Sequence, residues 1–262
     1  MSPQRARVAG GDNRQGKVMM GLARTASAAL IALSLVPVTE FAAAQERPYA
    51  GAPYTNEDVI DGFRRTVFGS EYFGLLNAAI VRKYDRPVVL YIDASRAPSR
   101  RQAVANFVSV LPRLISGLRL SITTVRSRAN FVVHLTPRRS FRAVATQVLE
   151  GGRPPATSQC LVVAEFNSSG IQRSDAIIVT DRGEATFERC LREEILQGLG
   201  PLNDDSTLKY SLFNDTSDVR RFRRFDRLIM TMLYDPLLRP GKTRRETEQL
   251  LSTLLRRAIG KI

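Results

Sequence analysis

Apolar residues recur at helical and at strand spacing in turn along residues 55–149. TNEDVIDGFRRTVFG begins with capping and acidic residues and then repeats apolar side chains every three or four positions, which predicts a helix. Segment 99–118 has the same period, and the side chains expected on its buried face are Val104, Phe107, Val108, Leu111, Leu114 and Ile115. Short β-branched runs predict three strands, RPVVLYID, LRLSITTV and NFVVHLTP. A short helix is expected near 140–149.

The second half of the chain alternates in the same way and is divided by glycine and proline breaks. After GGRPP, the runs CLVVAEFN and DAIIVTD predict a strand pair joined by a turn at SSGIQRS. The next helix is expected from near Glu184 to the Gly200-Pro201 break. A loop rich in Asn, Asp and Ser then leads to two predicted helices, RFRRFDRLIMTMLYD and GKTRRETEQLLSTLLRRAIG, of which the last is amphipathic.

This order of elements predicts an α/β (α+β) fold, in which a mixed sheet with helices is followed by a C-terminal helical lobe. We divide the chain into a linker at 45–54, a mixed α/β domain at 55–202, and a loop with a helical lobe at 203–262.

The first 44 residues have the pattern of an export signal. Arg24 precedes the apolar run ASAALIALSLVPV, and Ala42-Ala43-Ala44 supplies the small residues of a cleavage site before Gln45. The apolar run is shorter than the roughly 20 residues that span a bilayer. We therefore expect residues 1–44 to be a cleaved signal peptide and the rest of the chain to be periplasmic or extracellular.

The charge balance favours an anionic partner. The chain has 39 Lys and Arg against 25 Asp and Glu, a net charge of +14, and without residues 1–44 it keeps 34 against 23, a net charge of +11. Such a surface attracts an anionic envelope polymer or a membrane surface through a long-range field that salt screens. Export argues against nucleic acid as the partner. Two alternatives stay open, namely an envelope protein partner and a surplus of arginine that only keeps the surface soluble.

The two cysteines, Cys160 and Cys190, follow the predicted signal, so export would place both in an oxidising compartment. We expect a disulfide between them. No C-x-x-C spacing is present, and the pair therefore has no redox signature.

The helix around CLREEILQGLGPLND combines two acids with a glutamine at a specific spacing. Glu193-Glu194-x-x-Gln197-x-x-Gly200-x-x-Asn203 resembles H-E-x-x-H-x-x-G-x-x-H, the zinc-binding stretch of the metzincin peptidases. The resemblance puts Glu193, Gln197 and Asn203 at the three ligand positions and Glu194 at the position of the general base. Two later runs also resemble matrixin-like metzincins. They are LKYSLFND, with Leu212 or Phe213 where a methionine is expected, and FDRLIMTMLYD.

The chain is more closely similar to a family of exported bacterial proteins known as domain of unknown function 2927. The runs that carry this similarity are Cys190–Asp204, Leu233–Gly241 and Pro87–Leu118. The resemblance covers most of residues 55–262 and implies no known activity.

The side chains at the ligand positions are poorly suited to zinc, which takes mostly His and Cys ligands. The one histidine, His134, falls in a predicted strand. We therefore expect a catalytically degenerate, metzincin-like binding or structural module without a metal or other cofactor. In it Glu193, Glu194, Gln197 and the adjacent Asn203 and Asp204 would form a polar cluster, with an arginine compensating the acids.

Two other interpretations remain open for these residues. Oxygen atoms from Glu193, Asn203, Asp204 and Asp205 suit Ca²⁺ or Mg²⁺, and with such a site Glu194 could act as the general base of a hydrolase. A glycosidase pair of Glu193 and Glu194 is weaker, because adjacent residues on one helix diverge.

Overall fold

A five-stranded mixed sheet forms the centre of the fold in the computed structural model, which describes residues 52–69, 80–154, 158–214, 216, 219 and 221–262. The strands are β1 (Val88–Asp93), β2 (Leu120–Thr123), β3 (Phe131–Thr136), β4 (Cys160–Asn167) and β5 (Gly170–Val179). Their order across the sheet is β2, β1, β3, β5, β4. Strands β2, β1, β3 and β5 are parallel to one another, whereas β4 at the edge runs antiparallel to β5. The α/β fold class expected from the sequence is thereby confirmed.

The helices that accompany this sheet are α1 (Asn56–Phe68), α2 (Arg101–Leu114), α3 (Arg138–Val148), α4 (Glu184–Gln197), α5 (Arg224–Leu233), α6 (Arg244–Glu248) and α7 (Leu251–Ile259). Two short 3-10 turns, Pro98–Arg100 and Arg126–Arg128, precede α2 and β3. Thr55 caps α1 through a capping box with Asp58, as the acidic start of that segment predicts. The described residues form one compact unit, in which α1 packs against α5 and α7.

The strands are buried according to their place in the sheet. The central strand β3 is buried along its whole length, as expected of a parallel strand covered on both faces. The main core covers one face and includes side chains from α1, α2, α4, α5 and α7. On the other face Ile177 and Val179 of β5 pack with Phe141 and Val144 of α3. Alternation along β5 thus divides its apolar residues between the main core, with Ala176 and Ile178, and the face covered by α3.

Four predicted element limits were wrong. The C-terminal segment expected as one helix is two, α6 and α7, because Leu250 N bonds back to Thr247 O and tightens the last turn before α7 starts. Helix α5 starts at Arg224, since Arg223 has an extended backbone. Strand β5 already pairs with β4 at Gly170, so the connecting turn is only Ser168-Ser169 and not SSGIQRS.

The fourth wrong limit is the end of α2, which stops at Leu114 instead of reaching 118. Gly117 has a φ of +91°, and a Cβ atom there would collide with the carbonyl oxygen of Tyr234. The chain therefore turns at this glycine, where other residues would be strained. Val104, Val108, Leu111 and Ile115 are buried as predicted, whereas Phe107 and Leu114 are only half-buried.

The predicted signal peptide at 1–44 lies outside the described residues. Within the described ranges, the structure contains no helix with both the length and the apolar character that crossing a membrane requires.

Candidate functional site

Helix α4 is fixed against the antiparallel edge of the sheet by a covalent bond. Cys190 of α4 forms a disulfide with Cys160 at the start of β4, with 5.8 Å between the two Cα atoms. This confirms the predicted pairing. The helix ends at Gln197 and is followed by Gly198, close to the break predicted at Gly200-Pro201. The polar side chains of interest therefore lie in the last turn and a half of a helix that is tied to the sheet.

Three polar side chains of this helix are buried although two of them are acids. Glu193 and Glu194 are each 6% exposed and Gln197 is 7% exposed. Arg189, one turn earlier, places its Nε 3.0 Å from Glu193 Oε2. It is the arginine partner that the pair of neighbouring acids requires. Gln197 donates from Nε2 to Asp204 Oδ1 at 2.8 Å, which joins the end of α4 to the loop that follows it.

The loop after α4 is attached to the end of α1. Asn203 donates from Nδ2 to the carbonyl oxygen of Arg65 at 3.0 Å, and Arg65 in turn donates to Asp205 Oδ2 at 3.1 Å. The side chains of Arg65 and Asp61 form a second ion pair within α1. Glu193, Gln197 and Asn203, which the sequence comparison with zinc peptidases singled out, therefore bond to three separate parts of the protein.

The donor chemistry of these positions does not fit a zinc centre. Gln197 and Asn203 use their amide NH₂ groups in the bonds just described, which leaves only carbonyl oxygens and one Arg-paired carboxylate at the three positions. Zinc sites in proteins are built mainly from His nitrogen and Cys sulfur. Within the described ranges, moreover, no three His, Cys, Asp or Glu side chains are grouped closely enough to hold a metal ion.

A buried aspartate holds the turn that follows this loop. Ser211 Oγ donates to Asp226 Oδ1 at 2.6 Å, and the backbone N–H of Leu212 donates to the same carboxylate at 3.1 Å. Phe213 is fully buried and its carbonyl oxygen accepts from Asp205 N, which connects the turn to the end of the α4 loop. Burial raises the pKa of Asp226 to about 7, although the bonds from Ser211 and Leu212 oppose the shift.

His134 belongs to a separate polar group on the sheet. It lies in β3, and its Nε2 is 2.8 Å from Asp175 Oδ1 in β5. Arg173 donates to both oxygens of Asp175, and Asp93 Oδ2 lies 3.8 Å from His134 Nδ1. Burial alone would raise the pKa of Asp175, but the bonds from His134 and Arg173 lower it below its usual value. The described contacts of His134 are with β1 and β5, and none of them is with α4.

Two buried basic residues before β1 were not predicted as functional. Arg82 is fully buried and donates from Nη2 to the carbonyl oxygens of Val67 and Gly69, which end α1. Lys83 is 6% exposed and donates from Nζ to Leu233 O at 2.9 Å, at the end of α5. In the sequence VRKYDR these residues resemble an ordinary charged surface loop. Their burial depends on contacts with two helix ends, of which the end of α5 lies 150 positions away from Lys83 in the chain.

Fold and site together define an α/β protein with a disulfide-anchored helix whose polar side chains bond within the protein. The chain belongs to the family described as protein of unknown function (DUF2927), whose model matches residues 56–253. No curated protein matches the chain.

Proposed function

We propose that this protein is a metzincin-like binding or structural module of the bacterial cell envelope that has no hydrolytic activity. The order of elements before α4, the spacing from Glu193 to Asn203, and the turn held by Asp226 support the metzincin-like part of the proposal. In the peptidases this arrangement carries a metal and its activated water. In this chain the corresponding positions carry amides and a carboxylate paired with arginine.

The observation that carries the proposal is the attachment of Glu193, Gln197 and Asn203 to Arg189, Asp204 and the α1 backbone. Each bond orients its side chain toward a protein partner, and the partners come from different elements. A catalytic metal requires its ligands to converge on one point with their lone pairs free. Here the polar cluster joins α4, the following loop and α1, which is a structural role.

Stability measurements in the presence of a chelator test this role. The unfolding free energy of the protein should be the same with and without excess chelator, and Glu193→Ala should lower it by about 1 kcal/mol because the ion pair with the partly exposed Arg189 is lost. Glu194→Gln keeps the shape of the side chain and serves as the matched variant for a hydrolytic base. Chelator-sensitive stability, together with a peptidase activity that disappears in Glu194→Gln, would favour the hydrolase interpretation.

We also propose export to the periplasm or beyond. The signal-like pattern of residues 1–44 supports it, and the Cys160–Cys190 disulfide is the kind of bond that oxidising compartments preserve. Expression of the full chain in a Gram-negative host, followed by cell fractionation and N-terminal sequencing, tests this directly. Recovery from the periplasm with Gln45 as the first residue is the expected result. Recovery only from the cytosol with an intact N terminus would contradict the proposed export.

An anionic envelope component is the partner that the charge supports. The net charge of +14 for the whole chain, or +11 without residues 1–44, attracts anionic polymers and lipid surfaces over a distance of about 8–10 Å at physiological salt. Binding that depends on this field should weaken steeply as the salt concentration rises. Binding that is insensitive to salt would point to an envelope protein partner instead.

A further inference from the structure

A cavity of about 440 Å³ lies at the amino end of β1, away from the polar cluster of α4. Three segments that are distant in the chain form it, namely 83–86 before β1, Gly117 and Arg119 after α2, and 234–239 after α5. The backbone bond from Val88 N to Arg119 O holds the first two segments together. Its charged lining residues are Lys83, Asp85, Arg86, Arg119 and Arg239. We call this cavity the basic pocket.

The charged residues of the basic pocket are strongly unbalanced. Four of them are cationic, and Asp85 is the acid that faces them. Arg86 donates to the carbonyl oxygen of Gln172 and Arg119 to that of Asp85, and neither of these neutral acceptors supplies a counter-charge. In the described part of the chain, no ion pair involves Arg86, Arg119 or Arg239. Among the described residues of the lining, Asp85 alone supplies a counter-charge.

Lys83 fixes a positive charge in the wall of the basic pocket. Its Nζ is held by Leu233 O at 2.9 Å and by Asp235 O at 3.2 Å, and the side chain is almost completely buried. Burial lowers the pKa of Lys83 to about 8, while the charges of Asp85 and Asp235 oppose the shift and that of Arg239 adds to it. Lys83 and Arg239 thus repel each other across the pocket. A bound anion would relieve this repulsion and favour the charged form of Lys83.

The basic pocket is closed from behind by buried residues. Tyr84 donates its hydroxyl to Asn130 O, and Tyr234 donates its own to Leu199 O, so both phenol oxygens already bond to the protein. These two residues and Leu238 are almost completely buried, so they shape the pocket and offer a ligand little surface. The exposed part of the lining is therefore mainly polar and charged, which suits a small anionic group.

We propose that the basic pocket binds a phosphate monoester group. The four cationic side chains and one carboxylate leave an excess of three positive charges, which a dianionic phosphate neutralises better than a single carboxylate does. The planar guanidinium groups of Arg86, Arg119 and Arg239 suit the paired oxygens of a phosphate. The proposal is independent of the α4 cluster, because no residue of α4 lines the pocket. The phosphate can belong to a soluble metabolite or to a lipid headgroup.

Titration calorimetry of the full-chain protein with inorganic phosphate and with glycerol 3-phosphate tests the binding, at constant ionic strength and at a pH where phosphate is mainly dianionic. Both probes should bind, and acetate should bind at least tenfold more weakly. The double variant Arg119→Gln/Arg239→Gln should lose at least tenfold in affinity. The matched control, Arg128→Gln/Arg142→Gln, removes two exposed arginines outside the lining and the same net charge, and it should bind like the wild type.

Vesicles separate the two sources of the phosphate. Phosphatidylcholine vesicles that contain phosphatidic acid carry the same monoester, so sedimentation with these vesicles, lost in Arg119→Gln/Arg239→Gln and kept in the control pair, assigns the pocket to lipid. Binding of glycerol 3-phosphate without sedimentation assigns it to a soluble ligand. Equal losses in the two double variants, or no binding of either probe and no sedimentation, would overturn the proposal. Gln197→Ala at the α4 cluster should leave binding unchanged, which keeps this test separate from that of the proposed function.

Discussion

The side-chain amide of Gln197 lies 2.8 Å from Asp204 Oδ1 and donates a hydrogen bond to it. In the metzincin-like alignment that we propose, Gln197 is the counterpart of the second histidine of H-E-x-x-H. Its NH₂ group therefore holds the loop after α4. Asn203 and Asp205 of this loop bond in turn to Arg65 near the end of α1. The relationship suggests that stability, and not catalysis, depends on these side chains.

Replacement of Gln197 should reveal this structural role. Gln197→Ala removes a buried hydrogen bond and leaves Asp204 without this donor, so we expect a loss of about 1–3 kcal/mol in the free energy of unfolding. Gln197→Glu has the same shape but puts a carboxylate next to Asp204, and at neutral pH it should destabilise the protein more than alanine does. Urea denaturation measures both. A suitable control is Gln102→Ala, which removes an exposed Gln to Asn bond on α2 and should cost less than about 0.5 kcal/mol.

The disulfide between Cys160 and Cys190 should contribute strongly to stability. It closes a loop with a sequence separation of 30 residues, for which chain entropy gives a loss of roughly 3–4 kcal/mol when the bond is removed. The variant Cys160→Ala/Cys190→Ala should show this loss in denaturant unfolding. A reducing agent should destabilise the wild type to a similar extent and leave the double variant unaffected. If the reductant affected both proteins equally, the loss could not be assigned to this bond.

Asp226 should make the protein less stable as the pH rises from 4 to 7. Burial raises its pKa to about 7, against about 3.9 in an unfolded chain, so the folded state keeps a proton that the unfolded state releases in this range. The stabilisation is complete below pH 4 and is lost as the pH passes through 7. The difference between the folded and unfolded pKa values of Asp226 corresponds to roughly 4 kcal/mol.

The difference between wild type and Asp226→Asn isolates this effect, because other carboxylates, such as Asp175, have a lowered pKa and act in the opposite direction. Unfolding free energies should be measured for both proteins at several values between pH 4 and 7.5. The advantage of the wild type over the variant should shrink as the pH rises. A constant difference over the whole range would contradict the raised pKa of Asp226.

Lys83 should make the protein more stable as the pH rises in the alkaline range, which is the opposite of the effect of Asp226. Its folded-state pKa of about 8 lies below the unfolded value of about 10.4, so between these values the folded protein loses a proton that the unfolded chain keeps. Stability should therefore increase from pH 7.5 to 9.5, by about 2 kcal/mol. Above pH 10 the buried Tyr84 and Tyr234, whose pKa values burial raises, would reverse the trend.

Lys83→Met should abolish this alkaline gain, while Lys209→Met, which removes an exposed lysine, should retain it. Urea unfolding at pH 7.5, 8.5 and 9.5 is the appropriate measurement. A parallel gain in all three proteins would show that another group is responsible.

The sequence allowed the local features of the site to be predicted, but not its long-range contacts. Helix α4 could be placed because its apolar period ends at a Gly-Pro break, and the disulfide because only two cysteines are present. The attachment of Asn203 to Arg65 joins residues 138 positions apart, and periodicity carries no information about such a pair. The basic pocket was missed for the same reason, since its arginines belong to three separate segments.

The wrong element limits have a related cause. The leucines of α7 continue the period of α6, so a single helix was expected, and the bond from Leu250 N to Thr247 O that separates them is a detail of backbone geometry. The order of the strands across the sheet likewise depends on the crossover connections, and the pattern within each strand does not determine it.

Metal content tests the central claim most directly. The protein should be purified without chelator, alongside Glu193→Ala, and its metals quantified by elemental mass spectrometry. Our account predicts no stoichiometric metal in either protein, because Gln197 and Asn203 are amides bonded within the protein and Glu193 is paired with Arg189. One equivalent of metal in the wild type that disappears in Glu193→Ala would contradict it and favour a hydrolase with Glu194 as its base.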